Sequence, residues 1–292
     1  MSIIEKAIRR TIEAEAAKGG AATQQPPTPA KTVSRSFAAL TRGKPEVALQ
    51  GDSLRTMGLV PPDDKARILR NEFRSIKAPI LAAAAVHEAA GPSQHVSVAA
   101  VVSSLPGEGK TYVSFNLASS LGLDSDVTTV LIDGDVARRQ LSTLLGVKDL
   151  PGLSDYLANE QMSLDDVLLP TSAASVFMLP AGQWREEVTE LIAGSRMRTL
   201  LGALSQSPGR VIVVVDCPPV LVTSEAAALM SVADQLVFVV RAGHTQQGTV
   251  EEAAAKLDRS KPIHAVLNAW HPLSIAERAY NTKYKDYYGS RD

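Results

Sequence analysis

Short apolar runs alternate with longer stretches of helical periodicity along most of the chain. Most of these runs are rich in Val, Ile and Leu without polar alternation, which predicts strands that are buried on both faces. They are 96–103, 128–132, 175–179, 210–215, 235–240 and 263–267. Because helical segments separate them, the pattern predicts an α/β fold with a predominantly parallel sheet and helices on both faces.

The first 62 residues have a different pattern. Residues 1–17 have isoleucines spaced four apart on one helical face and charges of both signs on the other, which predicts an amphipathic helix. We expect it to dock on a partner, and packing on its own domain or on a membrane surface remain alternatives. Residues 18–62 are rich in Gly, Pro, Thr and Gln and are predicted to be a flexible linker, with a short ordered patch near 37–40.

The predicted globular domain covers residues 63–278, and a C-terminal tail covers 279–292. Its first helix is expected to end near Lys77. A second helix is expected to begin at Pro79, because proline fits the first turn of a helix, and to run to about Ala90.

Composition narrows the function classes. The chain has 30 Lys plus Arg and 31 Asp plus Glu, so no overall charge recruits nucleic acid or an anionic membrane. The one cysteine, Cys217, forms no internal disulfide, and no apolar run is long enough to span a membrane. We therefore expect a soluble, cytoplasmic protein that does not bind nucleic acid.

The segment SSLPGEGKT after the first strand, with a helix after it, predicts a phosphate-binding loop. Gly107 and Gly109 let the backbone approach an anion, Lys110 adds a cation, and the hydroxyl of Thr111 is a ligand for Mg²⁺. Ser104 replaces the first glycine of the usual pattern, and a small residue still permits that turn.

Acidic residues follow two other predicted strands. Asp133 and Asp135 end the second strand, and Asp216 ends the fourth. Since ligands of an open parallel sheet lie at the carboxyl ends of its strands, we expect these acids beside Lys110, where they hold Mg²⁺ or polarise an attacking hydroxyl. For any one of them alone, a helix cap or turn role is the alternative.

The three segments SSLPGEGKT, VLIDGDVARR and VIVVVDCPPV resemble the Walker A, A′ and B motifs of bacterial tyrosine kinases, which belong to the P-loop NTPase group together with the Min and Par ATPases. The resemblance covers about residues 64–292 and implies ATP and Mg²⁺ as cofactors. Leu105 stands where Min and Par ATPases carry an extra lysine, which favours the kinase branch. The signatures of eukaryotic protein kinases are absent.

The resemblance also implies roles for single residues. Catalysis is assigned to Lys110, Asp133, Asp135 and Arg138, with Asp133 accepting the tyrosine proton. Mg²⁺ is assigned to Thr111, Asp133, Asp135 and Asp216. The nucleotide is assigned to Ser104, Pro106, Gly107, Glu108, Gly109, Lys110, Thr111 and Tyr112, with Asn268 contacting the adenine. Ala137 stands where the family has an arginine, so either Arg138 or Arg139 contacts the phosphates.

Four of the six tyrosines lie in the last thirteen residues: Tyr280, Tyr284, Tyr287 and Tyr288. The resemblance implies that they are autophosphorylated between the subunits of a homo-oligomer, whereas packing of the rings on the domain is the alternative. The family's oligomerisation motif is imperfectly matched by Asn71, Arg74 and Lys77, which a plain solvated helix face also explains.

The opening MSIIEKAIRR with DGDVAR and a tyrosine-rich end is similar to the cytoplasmic tyrosine autokinases of exopolysaccharide loci associated with exosortase systems. This implies recruitment to the inner face of the membrane by a separate membrane-spanning chain-length regulator, and a cognate tyrosine phosphatase. A Min- or Par-like ATPase without kinase activity is the competing hypothesis.

Overall fold

The computed structural model describes the central part of the chain, which contains all six predicted strands. The predicted N-terminal helix at 1–17 and the tyrosine-rich tail at 279–292 lie outside the described residues. The described residues are 37–49, 51–56, 59, 63–89, 96–207 and 209–269.

Strands and helices alternate along these residues. The strands are β1 (Val96–Ser103), β2 (Val127–Asp133), β3 (Leu169–Pro170), β4 (Val176–Leu179), β5 (Arg210–Asp216), β6 (Gln235–Arg241) and β7 (Ile263–Asn268). The helices are α1 (Phe37–Leu40), α2 (Asp52–Thr56), α3 (Asp63–Ala89), α4 (Lys110–Leu121), α5 (Gln140–Leu144), α6 (Leu153–Ala158), α7 (Leu164–Val167), α8 (Val188–Ala193), α9 (Ser195–Leu204), α10 (Glu225–Val232) and α11 (Gln247–Lys256). The six predicted strands are all present, with ends that differ by one residue at most.

The seven strands form one sheet in the order β3-β4-β2-β5-β1-β6-β7. All neighbours are parallel except β3, a two-residue edge strand that was not predicted and that runs antiparallel to β4. Strand β1 lies near the middle and all eight of its residues are buried. In the register of β2 and β5, Asp133 lies opposite Asp216, so the strand order brings two of the predicted acids to the same edge.

Helices cover both faces of this sheet, as the apolar strands predict. On β1, Val98 and Ala100 face one hydrophobic cluster, which is completed by α8, α9, α10 and α11. Ala99 and Val101 face the opposite cluster, which is completed by α3 and α4. The predicted class, a parallel P-loop-type sheet between two helical layers, is confirmed.

Residues 37–49 pack on the domain. An ordered patch was expected near 37–40, where a short helix lies, whereas 41–49 differ from the flexible linker predicted for 18–62. The ring of Phe37 is 3% exposed and meets Phe177 edge-to-face with 5.3 Å between centroids. Val47 donates its N–H to the Pro170 carbonyl oxygen at 2.9 Å and accepts the N–H of Ser172 at 2.9 Å. A few apolar side chains and the backbone groups beside β3 therefore hold a segment whose overall composition is that of a linker.

Helix α3 is continuous from Asp63 to Ala89, so the predicted break before Pro79 is wrong. Proline removes one helical hydrogen bond and disfavours the helix interior by about 3 kcal/mol. Phe73 and Ile80, on either side of this point, are 4% and 0% exposed in the cluster shared with α4. Burial of this helical face offsets the local cost of the proline.

Among the residues that the structure describes, no helix combines the length and the hydrophobicity needed to cross a bilayer.

Candidate active site

The loop between β1 and α4 has the backbone that a phosphate-binding loop needs. Gly107 and Gly109 have φ values of 83° and 95°, in the left-handed region that favours glycine. Helix α4 begins directly after Gly109, which provides no side-chain cap, so the N–H groups of its first turn are available to an anion. Lys110, the first residue of α4, is 8% exposed.

The side chain of Glu108 forms hydrogen bonds that stabilise this loop, whereas the sequence predicted only a nucleotide contact for Glu108. Its carboxylate is 1% exposed and accepts the N–H of Leu105 at 2.7 Å. Its other oxygen accepts the hydroxyl of Thr245, from the segment after β6. Arg241 donates to the Gly107 carbonyl oxygen at 3.2 Å. The loop is therefore tied to the β6–α11 connection, and the sequence predicted neither Thr245 nor Arg241.

Asn268 reaches the same loop from the end of β7. Its amide donates to the Glu108 carbonyl oxygen at 2.9 Å. A Cβ added to Gly109 would lie 2.0 Å from this amide nitrogen, so the glycine is needed for the close approach. The structure thus brings Asn268 to the loop, and its contact with adenine stays a prediction.

Two hydroxyl groups of α4 hold Asp216 at the end of β5. Thr111 donates to one carboxylate oxygen at 2.8 Å and Ser114 to the other at 3.1 Å. Burial raises the pKa of Asp216 to about 6, against the lowering effect of the Lys110 charge and these two hydrogen bonds. Asp216 therefore lies near Lys110, as expected, and Ser114 is a contact that the sequence did not single out.

The carboxylate of Asp133 accepts hydrogen bonds from the segment that follows β2. Ser142 donates both its N–H, at 2.8 Å, and its hydroxyl, at 2.7 Å, to the same carboxylate oxygen, and the Asp135 N–H lies 3.2 Å from the other. Burial, together with the negative charge of Asp216, raises the pKa of Asp133 to about 7. The Ser142 hydroxyl also accepts the Ala181 N–H at 3.0 Å, which fixes its orientation.

Asp135 faces the site beside Lys110. Burial raises its pKa, while its hydrogen bond from the Arg138 N–H and the positive charges of Lys110 and Arg138 act in the opposite direction. Arg138 is exposed and touches Asp135 through its backbone. Arg139, with φ of 51°, directs its guanidinium to the Gln183 side chain at 3.4 Å. Of the two arginines that the sequence left open, Arg138 is thus the one beside the acid.

The loop offers a further donor at Ser104. This residue is 0% exposed and its hydroxyl has no hydrogen-bond partner. A phosphate oxygen at the loop would supply one, so the replacement of the first glycine fits an anion site. The ring of Tyr112 packs edge-to-face on Phe73 with 6.3 Å between centroids, and its contact with the nucleotide stays a prediction.

The acidic residues at this sheet edge are not clustered as ligands for a single metal ion. Within the described ranges, no three His, Cys, Asp or Glu side chains lie together as ligands for one ion. The hydroxyl of Thr111 and the carboxylate of Asp216, 2.8 Å apart, are oxygen donors of the kind that Mg²⁺ prefers, and the Mg²⁺ contacts of Asp133 and Asp135 stay predictions.

The predicted oligomerisation residues lie on α3. Arg74 and Asn71 contact each other at 3.4 Å on the exposed face. Lys77 instead turns towards the domain and pairs with Asp124 at 2.8 Å and with the Ser120 carbonyl oxygen at 3.1 Å. Of the three residues, Arg74 is exposed and Asn71 is half-buried, and the four tail tyrosines lie beyond the described part.

Comparison with known proteins adds relatives to this geometry. No protein-family profile matches the chain. The tyrosine-protein kinase CpsD of Streptococcus agalactiae is 29% identical over 200 residues, which are 67% of this chain and 82% of CpsD. The tyrosine-protein kinase Wzc of Salmonella typhimurium is 30% identical over 184 residues, which are 62% of this chain and 24% of Wzc.

Solved structures point the same way. The kinase domain of VpsO has a TM-score of 0.55 and 27% identity, and the alignment covers 72% of this chain and all of that domain. The kinase domain of the Escherichia coli tyrosine kinase ETK has a TM-score of 0.55 and 28% identity over 65% of this chain and 73% of that one. The cell division ATPase MinD of Pyrococcus furiosus has a TM-score of 0.50 and 25% identity, and the alignment covers 63% of this chain and 79% of MinD. The phosphate loop and the acids at the strand ends agree with these comparisons: in sequence and in structure, the chain is similar to the bacterial tyrosine kinases.

Proposed function

We propose that this chain is an ATP-dependent protein-tyrosine autokinase that phosphorylates its C-terminal tyrosines between subunits and regulates exopolysaccharide biosynthesis or export. One observation carries the proposal. The buried Asp133, with a pKa of about 7, lies at the same sheet edge as the phosphate loop and in register with Asp216. Tyrosine kinases are also the relatives found by sequence, CpsD among them.

The loop and the first turn of α4 bind the phosphates. Backbone N–H groups beside Gly107 and Gly109, the free hydroxyl of Ser104 and the charge of Lys110 all favour a polyanion. Lys110 adds a mobile positive charge near the transferred group. The brace formed by Glu108 and Asn268 keeps this backbone in its binding conformation before the nucleotide arrives.

Thr111 and Asp216 are the residues that would hold Mg²⁺. Held there, a magnesium ion would offset the negative charge of the transferred group. The carboxylate of Asp216 is oriented for this by the hydroxyls of Thr111 and Ser114. Asp135, close to Lys110, would add negative charge beside the ion.

Asp133 accepts the proton of the attacking tyrosine hydroxyl. A pKa of about 7 leaves a substantial ionised fraction at neutral pH and makes the group a better base than an ordinary aspartate. The tyrosine oxygen bonds to the γ-phosphorus, the bond from that phosphorus to the β–γ bridging oxygen breaks, and ADP leaves. The hydrogen bond from the Ser142 hydroxyl orients the Asp133 carboxylate, and Ser142 itself takes no part in the proton transfer.

The substrate, the assembly and the partner are the finer part of the proposal. The acceptors are Tyr280, Tyr284, Tyr287 and Tyr288 of a neighbouring copy, and Arg74 and Asn71 of α3 contribute to the homo-oligomer. Each phosphate adds up to about two negative charges, which repels the tail from an acidic site and loosens the assembly. A membrane-spanning chain-length regulator recruits the kinase to the inner face of the membrane, and a phosphatase resets it.

The proposal is tested by measuring phosphate transfer to the C-terminal tyrosines. Purified protein is incubated with Mg-ATP, alone and with the cytoplasmic segment of the proposed chain-length regulator (the polysaccharide co-polymerase), and phosphotyrosine is mapped by mass spectrometry. We expect phosphate on the four tail tyrosines and none in the Lys110→Ala variant. A protein that binds ATP but leaves the tail unmodified under both conditions contradicts the proposal.

The likeness to MinD supports a second candidate, a nucleotide-switched ATPase without a protein substrate. Leu105, which is 40% exposed, is evidence against this candidate. The Min and Par ATPases carry a lysine at the corresponding position of the loop. Replacing all four tail tyrosines by phenylalanine separates the two. The kinase loses its signalling function with ATP binding intact, whereas a pure ATPase switch is unaffected.

A further inference from the structure

A cavity of about 290 Å³ opens beside the candidate active site, and neither the motifs nor the proposed mechanism uses it. Its walls include Asp155 of α6 and two residues after β4, Gln183 and Arg185. Strand β4 is the neighbour of β2 on the side away from β1, so the cavity lies one strand beyond Asp133 at the same edge. It is therefore placed beside the base, on the side opposite the phosphate loop.

The side chain of Arg185 lines this cavity and is only partly paired. One of its terminal nitrogens donates to an oxygen of Asp155 at 3.2 Å. Its Nε is buried and has no hydrogen-bond partner. The other oxygen of Asp155 accepts two backbone N–H groups, from Gly152 and Gln183, each at 3.1 Å. Asp155 thus serves three donors, and the guanidinium retains capacity for an acidic group supplied by a ligand.

Trp184, between two cavity-lining residues, is 58% exposed. Leu105 after β1 and Val222 after β5 are 40% and 54% exposed at the same edge of the sheet. Large apolar side chains left in solvent around a site are typical of surfaces that bind another chain, and an indole ring offers a face for a second aromatic ring. The chemistry that fits is thus an acidic residue next to an aromatic one.

We propose that the Arg185 cavity and Trp184 form a subsite for the acceptor segment of a second copy. The segment places a carboxylate on Arg185 and a neighbouring tyrosine ring on Trp184, so that an acceptor tyrosine reaches Asp133. The tail of this chain has that chemistry, since Asp286 stands directly before Tyr287. The proposal rests on the proposed tyrosine kinase function and adds how its substrate is selected.

The experiment uses a synthetic peptide of residues 279–292 as acceptor. The kinase is the full chain with its four tail tyrosines replaced by phenylalanine and with Asp286→Asn, so that its own tail does not compete. Arg185→Gln is expected to raise KM for the peptide about tenfold, as loss of one charge-assisted hydrogen bond would, with kcat and ATP affinity nearly unchanged. Arg198→Gln, an exposed arginine of α9, is the matched control and leaves KM unchanged.

Two further measurements make the assignment specific. A peptide with Asp286→Asn raises KM for the unsubstituted Arg185 enzyme by the same factor, and adds nothing to the effect of Arg185→Gln. In a Trp270→Phe background Trp184 is the remaining tryptophan, and its fluorescence changes as unmodified peptide saturates the site.

Additive effects of the two substitutions, or a Trp184 signal that saturating peptide leaves unchanged, would overturn the subsite. If kinase activity is normal in such a case, the proposed function stands and only the subsite fails. Absence of phosphate transfer by every variant would instead count against the proposed function, while the fluorescence titration still decides whether the peptide binds beside Trp184.

Discussion

Asp133→Asn should change how the stability of the nucleotide-free, metal-free protein depends on pH. The native carboxyl group has a pKa of about 7 against an ordinary value of 3.8. Between these values the native state holds more protons on this group than the unfolded state does. The free energy of unfolding therefore falls as pH rises from about 4 to about 7, and the full penalty persists above pH 7.

The size of this effect follows from the shift. A pKa difference of about three units corresponds to about 4 kcal/mol, and relaxation of the buried site makes this an upper value. Asparagine is neutral at every pH and keeps an oxygen for the two Ser142 donors. We expect the variant to match the wild type near pH 4, apart from a constant offset, and to gain relative stability up to about pH 8.

The assay is urea denaturation at a series of pH values with EDTA present, followed by circular dichroism. Asp149→Asn, which removes an exposed carboxylate, serves as the control and should leave the pH dependence unchanged. A difference between wild type and Asp133→Asn that stays constant from pH 4 to pH 8 would refute the reasoning, because it would mean that Asp133 titrates as an ordinary aspartate.

Three further predictions test the packing around the site. Phe37→Ala should destabilise the protein by about 3 kcal/mol in urea denaturation, since it removes a core aromatic ring, and a loss under about 1 kcal/mol would mean that residues 37–49 are not anchored. Glu108→Ala should raise the dissociation constant for ATP about tenfold in calorimetry, because the loop loses the brace to Leu105 and Thr245; an unchanged constant contradicts that role. Ser142→Ala should lower the free energy of unfolding by about 1 to 3 kcal/mol, because the Ala181 N–H loses its acceptor. It should also raise the pKa of Asp133 further, and an unaltered pH dependence of stability counts against the Ser142 contact. Ser97→Ala, at a buried serine far from the site, is the control.

Local sequence patterns were sufficient for much of the fold. The strands could be predicted because runs such as 210–215 must be buried on both faces, and the phosphate loop because its glycines and lysine have a fixed spacing. The edge that collects Asp133 and Asp216 follows from a general property of parallel sheets. These features depend on residues close together in the chain or on the common direction of the strands.

The remaining features depend on contacts between distant residues. Thr245 meets Glu108 across 137 positions, and no pattern near either residue indicates the pair. Helix α3 continues through Pro79 because Phe73 and Ile80 are buried against other elements, which overrides the local preference for a break. Residues 37–49 look like a linker because three or four apolar side chains are too few to stand out in the composition.

Phosphate transfer between two distinguishable copies is the measurement that bears most strongly on the proposed kinase. One copy carries Lys110→Ala and an intact tail, and the other has a functional site with all four tail tyrosines replaced by phenylalanine. After mixing with Mg-ATP and the co-polymerase segment, we predict phosphotyrosine at Tyr280, Tyr284, Tyr287 or Tyr288 of the Lys110→Ala copy. Unmodified tyrosines on that copy, while the other copy binds and hydrolyses ATP, would contradict the proposal.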